Sequence, residues 1–370
     1  MIRSPAELAG LIEARSGAEV LGLDVEGDGF FRYRSRLCTL QIGDAASVDV
    51  VDTLAIEDLS AMARLLGPEG PVKIVHDVSF DNKMLASRGL PLGNVFDTSV
   101  AARFLGEPNT GLAALLAARF DVKLDKKYQR ADWGARPLTD DQLAYLAADV
   151  VHLPELARQL REAAAAVDIL EEIDEETRYA MDRALDPEVE RAPWTRIKNA
   201  RELSGQALAV LVALADVREE AARDEDVPPF RITSNAVLFE AARRHPRRVA
   251  DLRRIRGLSA LSDAALSAAL EAAERDGPPS AEPSEPPPPP EVRAERKARE
   301  KRLGQWRTEE AKARRVDLQV VLPGHCLRDL AGMTAPDLEK IAATPGLGAK
   351  RLAKYGERLL ETLRAADAAA

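Results

Sequence analysis

The stretch EVLGLDVEGDGFF, Glu19 to Phe31, decides how the first half of the chain is read. Val20, Leu21, Leu23 and Val25 make an apolar strand, yet Asp24 and Glu26 interrupt it two residues apart. Alternation along a strand sends residues at i and i+2 to the same face. Two carboxylates therefore stand side by side at the end of an element that should be buried. Something must compensate them.

Working outward, strand and helix signals alternate up to about residue 165. Val20–Val25, Leu37–Ile42, Ser47–Val51, Val72–Val75 and Asn94–Thr98 read as strands, the second and third joined by the turn GDAA at Gly43–Ala46. Helices are expected near Ile56–Leu66, Phe80–Ser87, Ser99–Leu105, Leu112–Arg119 and Thr139–Leu160. Hairpin-joined strands first and helix-linked strands after them imply an α/β domain, a mixed sheet flanked by helices. Beyond residue 197 the pattern is helical only. Asp276–Glu291, DGPPSAEPSEPPPPPE, cannot continue a helix and reads as an extended spacer. The segments on its two sides each carry a late glycine-centred break, IRGLSA at Ile255 and TPGLGAK at Thr344, so they read as two copies of one small helical module.

Two further segments repeat the acidic theme. KIVHDVSFDNKML, Lys73 to Leu85, ends a strand and opens a helix carrying His76, Asp77 and Asp81. LTDDQLAYLAADVVHLPEL, Leu138 to Leu156, is amphipathic and puts Tyr145 and Asp149 four residues apart on one helical face. Carboxylates gathered at about 4 Å repel by about 1 kcal/mol per pair in water and about 4 kcal/mol at an effective dielectric near 20. Such a cluster needs protons or cations. Magnesium and manganese prefer oxygen ligands, and two such ions about 3.5–4 Å apart clamp an in-line displacement at phosphorus. On this reading Asp24 bridges two ions, Glu26 and Asp149 complete one and Asp81 holds the other. The Tyr145 phenol orients the attacking water.

Taken together, LDVEGDGFF, VHDVSFDNKML, DWGARPLTDDQLAYLAADV and the helical tail resemble the ribonuclease D family of DEDD 3′–5′ exonucleases. The order Asp-x-Glu, His-x4-Asp, Tyr-x3-Asp is that of the tyrosine-bearing (DEDDy) branch. The resemblance implies a ribonuclease H-like exonuclease domain over 1–168, with Asp24, Glu26, Asp81 and Asp149 as metal ligands and Tyr145 at the water. The choice of Asp81 over Asp77 rests on the family's register. A helical linker over 169–196 would follow, then an HRDC-like domain over 197–276, the Pro-rich linker 277–291 and a second HRDC-like domain over 292–370. The implied activity is metal-dependent exoribonuclease action on RNA 3′ ends, tRNA precursors among them, releasing 5′-mononucleotides with two Mg²⁺ or Mn²⁺ ions. A 3′–5′ DNA exonuclease and a catalytically dead nucleic-acid-binding scaffold are the alternatives.

Candidate nucleic-acid contacts are spread around that centre. Arg119 to Leu138 interleaves basic residues, Lys127, Arg130 and Arg136 among them, with Tyr128 and Trp133, a pattern suited to phosphates and stacked bases. Phe30 and Phe31 follow the acidic strand and are placed to stack on a terminal base or to be buried. His76 belongs to the candidate set, although its first reading is a hydrogen-bonded wall of the site, and Gln142 completes the set.

Composition sets outer bounds. The 370 residues favour two or three domains, 46% are hydrophobic, and Cys38 and Cys326 fall in different candidate domains, so neither a disulfide framework nor a zinc cluster is indicated. No apolar run approaches the ~20 residues that span a bilayer. The N-terminal stretch lacks the continuous apolar segment of a signal peptide. A cytoplasmic monomer without membrane attachment is expected. The net charge of −9 speaks against a non-specific nucleic-acid coat but leaves a nuclease open, because bound cations set the local field.

Overall fold

The structure, a computed structural model, describes residues 1–187, 191–279 and 288–367. The chain divides into two compact units. The first comprises Met1–Gly27, Leu37–Asp186 and Pro288–Ala370; the second comprises Asp28–Arg36 and Pro187–Pro287.

The first unit opens with α1 (Pro5–Arg15), which the sequence reading does not contain. Its signal is nonetheless present: Ser4, Pro5 and Glu7 form a capping box, with Pro5 at the first helical position. Then come β1 (Val20–Gly27), β2 (Leu37–Gly43), β3 (Val48–Asp52), the short α2 (Ala63–Leu66), β4 (Val72–Val75), α3 (Val78–Ala86), β5 (Val95–Asp97), α4 (Thr98–Phe104) and α5 (Leu112–Phe120). The helix expected from Ile56 shrinks to a 3-10 turn at Ser60–Met62 followed by α2. The long helix expected over Thr139–Leu160 is instead two, α6 (Asp140–Val151) and α7 (Leu153–Ala166). Pro154 has no N–H to continue α6 and is tolerated in the first turn of α7. α8 (Leu170–Ala184) closes this part.

The five strands form one sheet in the order β3-β2-β1-β4-β5. β1 is central, antiparallel to β2 and parallel to β4. The expected mixed sheet flanked by helices is thus present. Leu21, Leu23 and Val25 pack on one side with Leu8, Leu11 and Ile12 of α1 and with Met84 and Leu85 of α3. The opposite side of β1 carries Gly22, Asp24 and Glu26, and α6 lies against it. A Cβ on Gly22 would sit 2.8 Å from the Val150 carbonyl oxygen and 2.9 Å from Val150 Cγ1. The missing side chain is what lets the end of α6 come down onto the acidic strand.

The second unit holds α9 (Gly205–Asp224), α10 (Pro229–Ile232), α11 (Asn235–Arg243), α12 (Val249–Arg253) and α13 (Asp263–Asp276) around a core that includes Leu211, Leu214, Leu238, Leu252 and Leu266. The loop that follows β1 belongs to this unit. Tyr33 packs against the helical core and its hydroxyl donates to Glu219 at 2.9 Å. Arg32 pairs with Asp226 at 2.9 Å, and Arg231 donates to the Phe30 carbonyl at 2.8 Å.

Five more helices belong to the first unit: α14 (Pro290–Arg314), α15 (Leu318–Val321), α16 (Gly324–Gly332), α17 (Leu338–Ala342) and α18 (Ala349–Asp367). Most of their core is their own, with Leu303, Trp306, Leu330, Ile341 and Leu359 at its centre. Val320 is different, because it is buried in one cluster with Ile74, Phe96, Phe104 and Ile173 of the sheet and its helices. Of the spacer expected at 277–291, residues 280–287 lie outside the described residues.

Gly22→Ala tests the close approach of α6. The added methyl overpacks a site that cannot yield on the backbone side, so unfolding free energy should fall by about 1–3 kcal/mol in denaturant titration. Nuclease activity should fall further than stability accounts for, because Asp149 rides on the displaced helix.

Candidate metal centre

Strand alternation gives Asp24 and Glu26 to one face, opposite Gln41 and Thr39 of β2. Thr39 and Gln41 are buried and bonded to each other, Gln41 Nε2 donating to Thr39 Oγ1 at 2.7 Å, so neither neutralises the acids beside them. α6 is started by a second capping box, Thr139 with Gln142. Its Leu146 and Val150 are buried, and Tyr145 and Asp149, one position earlier in each case, face the strand acids. Carboxylate oxygens of Asp24, Glu26 and Asp149 all lie within 4.8 Å of one another. Two segments of sequence, β1 and α6, converge here.

Asp81 reaches the same field from the other layer. It is buried on the inner face of α3, and its strongest charged neighbour is Asp24. The turn that aims α3 is unusual, because Asp77 sits at φ 71°, in the left-handed region. Asp97 holds it there. That carboxylate accepts the backbone N–H groups of Asp77 (3.1 Å) and Val78 (2.9 Å), and also those of Ser99 (2.8 Å) and Val100 (3.3 Å) at the start of α4. One acid thus ties two helix starts together, and Asp77 caps α3 in backbone only. Position alone marks Asp97 as a cap for α4; its grip on α3 is long-range, and no local spacing reveals it.

The electrostatics are those of an uncompensated cluster. Burial, with the nearby Asp149 charge, pushes Asp24 up to about 7. Burial, then Asp24 and Asp149, pushes Glu26 up to about 9. Asp149 rises to about 6 through burial, against a hydrogen bond from Tyr145 that favours its charged form. Asp81 stands well above the ordinary carboxylate range, again through burial first and Asp24 next. Its Oδ2 is buried without a hydrogen-bond partner. Burial and the neighbouring acids raise Tyr145 as well, so it remains a neutral phenol that donates to Asp149. Four hard oxygen donors, mutually repelling and with a buried orphan oxygen among them, fit divalent cations of the magnesium type.

The wall beside Glu26 is aromatic. Trp133 stacks on Tyr145 with ring centroids 5.9 Å apart, and Tyr128 meets Tyr145 edge-on at 5.8 Å. Trp133 is 1% exposed, its indole N–H has no acceptor of good geometry, and its proximity is the one influence that lowers Glu26. Its expected role in stacking RNA bases is therefore corrected: a ring buried between the sheet and Tyr145 offers no free face. Arg136 is corrected similarly. Its guanidinium is spent on the buried Asp52 at 2.7 and 2.8 Å and on the carbonyls of Cys38 and Trp133, which lock the loop that presents Trp133. Alternating aromatics and arginines suit nucleic acid and also suit a buried loop lock, and sequence alone does not separate the two.

The other expected contacts fall variously. His76 donates from Nδ1 to Thr98 Oγ1 at 2.9 Å, because the Thr98 proton goes to the Val75 carbonyl. Burial holds this histidine below its usual value, which makes it a wall residue of the Asp97 network. Lys127 is exposed, 3.7 Å from Asp141, and Arg130 is exposed. Gln142 Oε1 accepts the Thr139 backbone N–H. Phe30 is 48% exposed, whereas Arg231 covers one face of Phe31 at 4.4 Å. Phe80, next to Asp81 and 48% exposed, is an aromatic the sequence reading passes over.

With this geometry in place, comparison with known proteins is decisive. Residues 1–164 match the family described as 3′–5′ exonuclease, and 207–261 and 296–363 each match the HRDC domain. The ribonuclease D of Shewanella sp. strain ANA-3 is 32% identical over 264 residues, covering 70% of this chain and 67% of that protein. That of Escherichia coli K12 is 31% identical over 254 residues, 68% of each. The chain belongs to the ribonuclease D family. It is a 3′–5′ exoribonuclease, and its two helical tail modules are HRDC domains. Among solved structures, a protein from Bifidobacterium adolescentis superposes with TM-score 0.81 at 25% identity over 98% of this chain and 96% of that one. The E. coli RNase D structure, titled an exoribonuclease involved in structured RNA processing, gives 0.66 at 26% over 99% and 98%.

The raised carboxylates predict a pH dependence with a definite sign. In metal-free protein the folded state keeps protons that the unfolded chain releases near pH 4, so stability falls as pH rises from about 4 to about 9. Melting temperature in chelator should drop across that window. Manganese should flatten the slope by replacing the protons, and an equal slope with and without manganese would contradict the cluster.

Proposed function

We propose that this ribonuclease D-family enzyme hydrolyses RNA from the 3′ end with two divalent ions, Mg²⁺ or Mn²⁺, and releases 5′-mononucleotides. The observation that carries the reading is the convergence of Asp24, Glu26 and Asp149 on one point, with Asp81 sharing their field. Asp24, electrostatically coupled to both Asp149 and Asp81, is the ligand suited to both ions; Glu26 and Asp149 would complete one and Asp81 the other. When bound, such ions neutralise the developing charge on the scissile phosphate and lower the pKa of the attacking water.

The chain's own residues supply the rest. Tyr145 stays protonated and, held by Asp149 and stacked on Trp133, offers a fixed O–H to orient the water. His76, wedged by Thr98, keeps the start of α3 in place. Lys127 and Arg130 are exposed cations for RNA phosphates, Gln142 borders the same loop, and Phe30 and Phe31 remain candidates to meet a base. tRNA precursors are the proposed natural substrate, by resemblance. A cytoplasmic monomer is the proposed setting; no described helix is long and apolar enough to cross a membrane. The proposed limits are an exonuclease domain over 1–168 and HRDC domains over 197–276 and 292–370.

Asp24→Asn and Asp149→Asn should each cut hydrolysis at least about a thousandfold, since losing an ion removes several kcal/mol of transition-state stabilisation. Melting in chelator should be kept or raised, since the neutral amide removes repulsion from the cluster, and RNA affinity in chelator should be kept. The assay runs linear and tRNA-like RNA beside DNA of the same sequence, with manganese, magnesium or chelator. Full activity in either variant sinks the site, and equal or faster digestion of DNA sinks the substrate. Tyr145→Phe should lower kcat by about 10- to 100-fold with KM little changed, because the phenol acts on the water and not on the RNA.

A further inference from the structure

One side chain beside the metal centre is buried with its polar atom unused. Trp133 is 1% exposed, and its indole N–H meets no hydrogen-bond acceptor. A buried N–H left unpaired forfeits the hydrogen bonds it had in water, so the fold keeps one only where other contacts fix it.

Those contacts can be followed residue by residue. Trp133 shares a core cluster with Cys38 of β2, Val50 of β3 and Leu146 of α6. Arg136 donates to the Trp133 carbonyl at 2.6 Å and to the Cys38 carbonyl at 2.9 Å, and the same guanidinium is gripped by Asp52. Cys38 is followed by Thr39, and Thr39 is the register partner of Glu26. The lock therefore fastens the ring alongside the strand position of Glu26. The ring also stacks on Tyr145.

Glu26 is the neighbour with a use for that N–H. The influence of Trp133 on it favours the ionised carboxylate, against burial and two like charges that oppose it. A carboxylate that ligates a cation through one oxygen has a second oxygen to place, and a bond from a fixed donor to that oxygen sets the ligand's orientation. The other unpaired buried atoms around this centre, among the described residues, are the oxygens Gln41 Oε1 and Asp81 Oδ2. The indole supplies the donor.

We propose that Trp133 is a positioning residue for Glu26: its indole N–H is held in reserve and donates to the Glu26 carboxylate when a divalent cation engages that carboxylate. The same ring backs the Tyr145 phenol, so one rigid side chain sets both an ion's ligand and the group that orients the water. The inference rests on the metal-dependent reading of the site and adds to it a residue that itself ligates nothing.

The test follows the indole directly in the full chain. The sequence has three tryptophans, Trp133, Trp194 and Trp306, so labelling with ¹⁵N-tryptophan gives three indole N–H signals. Trp194→Phe and Trp306→Phe each remove one, which assigns the third to Trp133. Titration with Mg²⁺ should move the Trp133 indole proton downfield and slow its exchange with solvent, while the other two signals stay in place. Calorimetry with Mn²⁺ supplies a second arm. Trp133→Phe keeps a ring against Tyr145 and removes the N–H, and it should bind Mn²⁺ about 10- to 100-fold more weakly, the usual loss when a ligand's outer partner is removed. Its rate at limiting Mn²⁺ should recover as Mn²⁺ is raised, whereas that of Tyr145→Phe should not. An indole proton that Mg²⁺ leaves unmoved, or that exchanges no more slowly, overturns the inference, and so does wild-type Mn²⁺ affinity in Trp133→Phe. The indole arm is read with Trp133 intact, so it decides the matter even where Trp133→Phe does not fold. A wild type that binds neither ion overturns the metal-centre reading along with it; normal ion binding beside a silent indole overturns the role of Trp133 alone.

Discussion

Everything at this centre follows from packing four carboxylates into a space where they repel. At an effective dielectric near 20, each close pair costs about 4 kcal/mol, comparable to the net stability of a small domain. The fold does not relieve that cost with counter-charges: no Lys or Arg is among the groups that shift Asp24, Glu26, Asp81 or Asp149. Instead it enforces the approach. β1 fixes two acids on one face, Gly22 admits α6 to the strand surface, and Asp97 ties down the left-handed turn that aims Asp81.

The contrast with Asp52 gives this its meaning. Burial alone would raise Asp52, yet the Arg136 guanidinium bound to it brings it below the ordinary carboxylate value. The same sheet therefore pairs an acid fully where the task is to lock a loop and leaves four unpaired where the task is to hold cations. The two motifs are linked, since the loop that Arg136 locks carries Trp133 against Tyr145 and Glu26. Rigid surroundings matter for catalysis because ligands that wandered would collapse the separation two ions require.

Much of this was legible in the sequence, for reasons that differ residue by residue. Asp24 and Glu26 announce themselves because charge breaks an apolar strand, and Tyr145 and Asp149 because a four-residue step keeps a helical face. Gly22 was legible in principle as the i−2 neighbour of Asp24 on the same face, although its importance lies in Val150, far along the chain. Asp81 against Asp77 was not decidable from spacing, since either fits a first turn; the burial of Asp81 on α3 and its coupling to Asp24 are tertiary facts that favour it. Trp133 and Arg136 misled because a loop lock and a nucleic-acid surface use the same residue types. The break at Pro154 follows from chemistry visible in the sequence, and so does the Ser4–Glu7 capping box.

The two HRDC domains show that one family module can be tied into a chain by different physics. In the second unit the loop Asp28–Arg36 is held by Tyr33, packed against the helical core, and by the well exposed pair Arg32–Asp226; such exposed pairs contribute about 0–1 kcal/mol. In the first unit the joining pair is buried. Arg351 is fully enclosed and Glu175 nearly so, and removing one member of such a pair costs about 3–5 kcal/mol. Val320, sunk in the sheet domain's own core cluster, adds apolar burial to that joint. A module fastened in this way behaves as part of the nuclease domain.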